Sequence, residues 1–288
     1  MGTTLNALPG LASLFAAMGG GGTTQSLLGA IYNTGTTGVS LSGGNPIAAL
    51  TNAEQNQTQD IKATAAEPAV ARAVAAFTKA VQTASSPQQL LSNPTAMQVL
   101  LTANGLADQI PYTALTQKTL LSNVNDSKSL ANQLTDTRWK PVVQTYDFAN
   151  KGLSVIQNPS VIATIANAYA EVTWRTSLDA TTPGLSNALT FRANASGVTN
   201  VDQILGDPVL RSVVTTTLGI PLQIAFQPLE AQQKAITSQL DIARLQDPKF
   251  VTQFAQRYLI AMAQAASTTA ASQPSLSALA VQAQGLVV

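Results

Sequence analysis

The sequence contains no histidine and no cysteine. Those two absences exclude Ser-His and Cys-His nucleophiles, imidazole or thiolate metal centres, disulfide frameworks and haem on its usual axial ligands. Charge is scarce too: 10% of the 288 residues are charged and the formal net charge is only +1, against about 25% charged residues in an ordinary soluble domain. So even a balance favours neither nucleic-acid steering nor a polybasic membrane contact. No uninterrupted apolar run nears the ~20 residues of a spanning helix, and Met1 to Met18 has no side-chain cation for a secretory n-region. The expectation is a chain with no membrane span, no metal, no nucleic-acid partner and no cofactor, long enough for one large domain or two small ones.

Charge placement says more than charge count. All charged side chains fall between Glu54 and Arg257, so residues 1 to 53 and 258 to 288 carry none. The front segment also holds 11 of the 18 glycines, including Gly19 to Gly22 and the Gly43, Gly44 pair. Such a stretch buries too little apolar surface to offset its ordering entropy, and flexible tails are expected over residues 1–62, uncharged as far as residue 53, and over the uncharged residues 263–288. Both nevertheless carry apolar residues at helical spacing: Leu5, Leu8, Leu11, Phe15 and Met18 in front, Leu276, Leu279, Ala283 and Leu286 behind. These are candidate partner contacts, because stripes of this kind order against another helix.

Between the tails the pattern is helical. Five times a capping residue stands before proline: Ser86-Pro87, Asn93-Pro94, Asn158-Pro159, Asp207-Pro208 and Asp247-Pro248. Proline at the first helical position loses no hydrogen bond, and the preceding side-chain oxygen accepts from the next free N–H groups. After Pro68, Val70, Val74, Phe77 and Val81 share one face; after Pro228, Leu229, Ile236 and Leu240 do so, with Glu230 and Lys234 spaced as an i, i+4 pair. The β-branched run Val213 to Thr217 lies between a proline start and a glycine stop, which favours helix over strand.

An internal similarity organises this region. Residues 88–110 align with 202–224 at an offset of 114 with eight identities in 23 positions, among them Leu91 with Leu205, Pro94 with Pro208, Gly105 with Gly219 and Ile110 with Ile224. The pattern makes physical sense: Asn93-Pro94 and Asp207-Pro208 open a short helix, and Gly105 and Gly219 close it in the left-handed conformation. After an insertion, Leu130, Gln133 and Leu134 realign with Phe250, Gln253 and Phe254 at an offset of 120. The period is too long for a solenoid. The expected architecture is therefore all-α, with two tandem related helical modules over residues 63–165 and 166–262.

The order LLSNPTAMQVLLTANGL, LLSNVNDSKSLANQLTDTRWKPVVQTYDF, IANAYAEVTWRTSL, ILGDPVLRSVVTTTLGIP and LQDPKFVTQFAQRYL resembles the domain-of-unknown-function family twelve-seventeen. The likeness covers roughly residues 68 to 262, and its most specific part is Asp136, Arg138 and Trp139 followed by Tyr146 and Phe148. The resemblance implies a helical duplicated module encoded, in alphaproteobacteria, among flagellar genes, with no known catalytic residue. The uncharged Gly- and Thr-rich front segment departs from the family pattern.

Enzyme motifs fail on their own terms. Gly19 to Gly22 lacks the following Lys-Ser or Lys-Thr of a phosphate loop, and Gly38 to Ser42 has Ser where a nucleophile elbow needs its second Gly, with no His as base. The three N-x-S/T tripeptides at Asn56, Asn125 and Asn194 are what an Asn- and Ser-rich chain gives by chance. Paired carboxylates acting on a glycan are the weaker enzymatic alternative. Most acids have a simpler role: Asp207 and Asp247 as caps, Asp202 just before a helix, Glu230 beside Lys234. Asp136 and Arg138 are the candidate structural ion pair, fixing helix packing near Trp139. Tyr146, Phe148, Tyr169, Trp174, Phe191, Phe226, Phe250, Phe254 and Tyr258 are expected in the core.

Two functional expectations result. One is a non-enzymatic structural or interaction protein of the bacterial flagellum, exported without a cleaved signal, whose partners are other flagellar proteins or copies of itself. The other is a soluble cytoplasmic flagellar assembly factor or regulator.

Overall fold

A computed structural model describes residues 45–272, and among these described residues there is no strand. The helices are α1 (Pro46–Ala66), α2 (Pro68–Thr83), α3 (Pro87–Leu91), α4 (Pro94–Ala103), α5 (Thr113–Leu120), α6 (Leu130–Gln133) and α7 (Trp139–Tyr146). They continue as α8 (Phe148–Lys151), α9 (Pro159–Leu178), α10 (Leu185–Asn194), α11 (Val201–Gly206), α12 (Pro208–Leu218), α13 (Leu229–Thr237) and α14 (Pro248–Ser272). Short 3-10 turns at Ala107–Gln109, Ala195–Gly197, Leu222–Phe226 and Ile242–Gln246 join them. The all-α expectation holds, and Val213 to Thr217 lie within α12.

Six helices open on a capping side chain followed by proline. Asn45, Ser86, Asn93, Asn158, Asp207 and Asp247 each accept a hydrogen bond from a backbone N–H of the first turn of α1, α3, α4, α9, α12 and α14. Each satisfies a donor that the helix itself leaves without a partner. The stops of α4 and α12 match as well. Gly105 and Gly219 have φ of 70° and 66°. At the first stop the N–H of Leu106 donates to Leu101 O at 2.8 Å and that of Gly105 to Thr102 O at 3.0 Å. At the second, Ile220 donates to Thr215 O at 2.9 Å and Gly219 to Thr216 O at 3.2 Å. Both are the 6→1 and 5→2 pairs of a Schellman stop, which requires the left-handed residue.

Side chains collect into two hydrophobic clusters. The first runs from Val70 to Ala170 and includes Phe77, Leu100, Leu106, Trp139 and Tyr146. The second takes Leu50 and Ala53 together with residues from Trp174 to Leu259, including Phe191, Val213, Phe254 and Tyr258. α9 serves both, because Ile162, Ile165, Tyr169 and Ala170 point into the first cluster and Trp174 into the second. Partly buried Ile61 of α1 packs against each.

Several expectations need correction. The front segment expected to be flexible to residue 62 already forms α1 from Pro46, because Asn45-Pro46 is a further capped start and Leu50 and Ala53 bury in the second cluster. Likewise α14 continues to Ser272, past the expected tail boundary at 263. A module boundary at 165/166 falls inside α9, a continuous 20-residue helix, so no linker separates the halves there. Leu5, Leu8, Leu11, Phe15 and Met18, and Leu276, Leu279, Ala283 and Leu286, lie outside the described residues. Phe226, expected in the core, is 88% exposed, and Leu229 is exposed too. Phe226 ends a 3-10 turn that follows Pro221 and turns Ile224 inward, and Leu229 is the first residue of α13. Glu230 and Lys234 are not among the ion pairs of the described residues. Asp202 lies inside α11, where it accepts from Gln233 Nε2 at 2.7 Å.

Candidate functional site

The most strongly knit polar group centres on Arg138, just before α7. Its backbone is placed by Asp136, whose Oδ1 accepts from the Arg138 N–H at 3.0 Å in an Asx-type turn. Trp139, the next residue, is driven fully into the first cluster and fixes the start of α7. The guanidinium is thereby held at the rim of the core with 12% of its side chain exposed.

Every guanidinium donor is used. Nε donates to Asp136 Oδ1 at 3.0 Å and Nη2 to Asp136 Oδ2 at 2.7 Å. Asp108 receives a second fork, from Nη1 at 2.9 Å and from Nη2 at 2.9 Å. The fifth contact runs from Nη1 to Gly105 O at 2.5 Å. Two side-by-side bidentate pairs are the arrangement to which the planar guanidinium is suited and an ammonium is not. The same side chain thus secures the stop of α4, the 3-10 turn that follows it and the start of α7.

Charge states follow from the geometry. Burial works to lower the Arg138 pKa, but the hydrogen bonds and charges of Asp136 and Asp108 outweigh it and push it above its ordinary value. For Asp108 burial works to raise the carboxyl pKa; hydrogen bonds from Arg138 and Gln109, with the guanidinium charge, outweigh it and hold the group below the ordinary carboxylate range. Both stay ionised at neutral pH. A carboxylate clamped in this way is a poor proton donor and a weak base, so the cluster is suited to holding helices and not to acid-base work.

Beside it, segment 135–138 crosses to the second half of the chain. Thr137 N–H donates to Gly206 O at 3.3 Å. A Cβ on Gly206 would lie 2.5 Å from Thr137 Cγ2 and 2.7 Å from Thr135 O, so only glycine permits this approach. An open depression of about 400 Å3 adjoins the crossing, lined by Thr137, Arg138, Asn194, Ser196, Gln203 and Asp207 among others. The acid in its lining is already engaged: Asp207 is buried and accepts from the N–H groups of Val209 at 2.8 Å and Leu210 at 3.1 Å.

A second charged group lies where α1, α9 and α10 meet. Arg192 pairs with Glu54, Arg175 pairs with Glu171 one turn away, and Gln57 Nε2 donates to Glu171 at 3.3 Å. A depression of about 280 Å3 opens beside them. Opposite charges are matched one to one, which again suits packing. Among the described residues no cluster of three acidic side chains is placed to hold a metal ion, and no helix is long and apolar enough to cross a membrane.

The residues singled out in the sequence fall into two places. Asp136 and Arg138 form the centre of the network; Asn93, Pro94 and Gly105 bound α4, whose stop Arg138 holds, while Asp207, Pro208 and Gly219 bound α12. Sequence reasoning missed Asp108, thirty residues before Arg138, and the only available signal was an acid without a local role just after Gly105. It also missed the Glu54, Glu171, Arg175 and Arg192 group, whose members come from three helices between residues 54 and 192.

These features define an all-helical fold over the described residues, in which the Arg138 and Arg192 groups tie helices together. A family model described as protein of unknown function (DUF1217) matches residues 103–251, just over half of the chain, and the chain belongs to that family. Its fold is similar to the crystal structure of protein AGR_C_984 from Agrobacterium tumefaciens, with a TM-score of 0.66 and 22% identity over 78% of this chain and 96% of that one. No curated protein matches the sequence.

Proposed function

We propose that this chain is a non-enzymatic structural or interaction protein of the bacterial flagellum, acting through protein–protein contacts. The observation that carries the contact-making half is the Arg138 cluster, in which both carboxylates and all five guanidinium donors are engaged with one another and with the backbone. With histidine and cysteine absent, the acids are the main source of proton-transfer chemistry, and the best-placed of them are committed to packing. The flagellar half rests on the family likeness read from the sequence.

Export without a cleaved signal is part of the proposal, and cytoplasmic action on flagellar assembly is its competitor. Fractionation tests it: the full-length chain is expected in purified flagella, detected by immunoblot, and its confinement to the soluble cell fraction would overturn the structural reading in favour of the assembly factor. A reporter fused behind residues 1 to 60 adds the route, since secretion lost in an export-apparatus mutant supports passage through the flagellar conduit.

A further inference from the structure

Among the described residues six large hydrophobic side chains are exposed, and five of them fall in two short stretches: Tyr112 and Leu115, then Leu222, Phe226 and Leu229. The stretches correspond. Tyr112 and Phe226 are separated by 114 residues, as are Leu115 and Leu229, the same offset that relates Gly105 to Gly219. Both pairs follow the Schellman stop of their helix, and between stop and pair Ile110 packs on the first cluster and Ile224 on the second. So the inward residue and the outward pair recur in register. Where the second stretch adds Leu222, the first has Asp108, held by Arg138.

Neither stretch carries charge, from Gln109 to Gln117 or from Ser212 to Leu229. Water is removed from such surfaces at little cost by an apolar occupant, while a charged one would be stripped of its hydration with nothing to pair with. Two similar sites on one chain are filled together by an occupant that itself carries the same pair. Another copy of this chain meets both conditions, because in a two-fold pair residue i meets j and j meets i. We infer that Tyr112 and Leu115 of one copy pack on Leu222, Phe226 and Leu229 of a second copy, and reciprocally, in a closed dimer. At roughly 200 Å2 per large side chain, the exposed fractions amount to on the order of 600 Å2 per copy. That is most of the ~800 Å2 per partner in a stable interface, and flanking Pro, Ala and Gln side chains supply the remainder. This dimer rests on the contact-making reading above and gives it a surface.

Sedimentation of the full-length protein at about 50 µM, a concentration that populates a micromolar complex, is expected to return twice the monomer mass of 29.8 kDa. Phe226→Asp and Tyr112→Asp are each expected to raise the dissociation constant by about 100-fold or more and to leave unchanged the thermal midpoint measured at a dilution where wild type and variants are all monomeric, since both side chains are exposed. The absence of cysteine allows a test of register: Tyr112→Cys chains mixed with Phe226→Cys chains should cross-link through a short bismaleimide, and neither variant alone should. A monomeric wild type, a dimer indifferent to both Asp variants, equal cross-linking by either Cys variant alone, or a dimer broken by Leu11→Asp instead would overturn the assignment. A monomer still present in purified flagella would remove this dimer and leave the flagellar reading intact, whereas a dimer confined to the cytoplasm would do the reverse.

Discussion

Replacing Arg138 with Met keeps an unbranched side chain of similar length beside Trp139 and removes the fork that joins Asp136 to Asp108. Five hydrogen bonds are lost, four of them to carboxylates. Asp136, only 18% exposed, retains the backbone N–H of residue 138, while Asp108, 47% exposed, turns toward water. Removing one partner of a buried pair costs about 3 to 5 kcal/mol, and the exposed Asp108 arm contributes no more than about 1 kcal/mol after solvent screening. The expected loss is about 3 kcal/mol, or a fall in thermal midpoint of roughly 6 to 12 °C for a folded region of this size. The pH dependence has a defined sign. Because the Asp108 carboxyl is held low in the folded chain, its contribution is complete above the ordinary carboxylate pKa of about 3.9 and disappears as pH falls through the lowered folded value. Urea unfolding followed by circular dichroism should therefore show the full gap between wild type and Arg138→Met at pH 7, and a gap narrower by up to about 1 kcal/mol, the Asp108 share, at a pH acid enough to protonate that carboxyl in the folded chain. A loss under about 1 kcal/mol at pH 7, within the range of exposed pairs, or an equal gap at both pH values would refute the reasoning.

Gly206→Ala should destabilise by about 1 to 3 kcal/mol, the usual cost of overpacking, because its Cβ meets Thr137 and a backbone oxygen; denaturant melts check this. Gly219→Ala and Gly105→Ala, at positive φ with open space around the new methyl, should each cost about 1 to 2 kcal/mol from backbone conformation alone, and an unchanged midpoint would contradict the Schellman assignment. Among caps, Asp207→Ala should cost more than Asn93→Ala, toward the upper end of the about 0.5 to 2 kcal/mol range, because Asp207 is buried and accepts two N–H groups where Asn93 accepts one.

Local structure was legible because it is written in contiguous residues. A capping oxygen before proline and a glycine stop eleven residues later specify α4 and α12 without help from the rest of the chain. Asn45-Pro46 obeys the same rule, yet the surrounding uncharged, glycine-rich composition masked it, and only the burial of Leu50 and Ala53 against distant helices shows why α1 forms. Long-range pairing is a different matter. Asp136 and Arg138 are neighbours and could be paired by spacing, whereas Asp108 reaches the same guanidinium only because α4 ends where it does. Phe226 illustrates the opposite failure: hydrophobicity alone assigned it to the core, but its turn directs Ile224 inward and leaves Phe226 in water. The family likeness was readable over most of the helical region, since the segment around Asp136, Arg138 and Trp139 is short, ordered and unusual in composition.

The most direct measurement is made in the cell. A strain lacking this gene, scored for swimming and imaged by electron microscopy, should be impaired in motility with flagella absent or arrested at one intermediate, and full-length protein supplied in trans should restore both. Normal swimming with complete flagella in the deletion strain would contradict a contact-making role in the organelle.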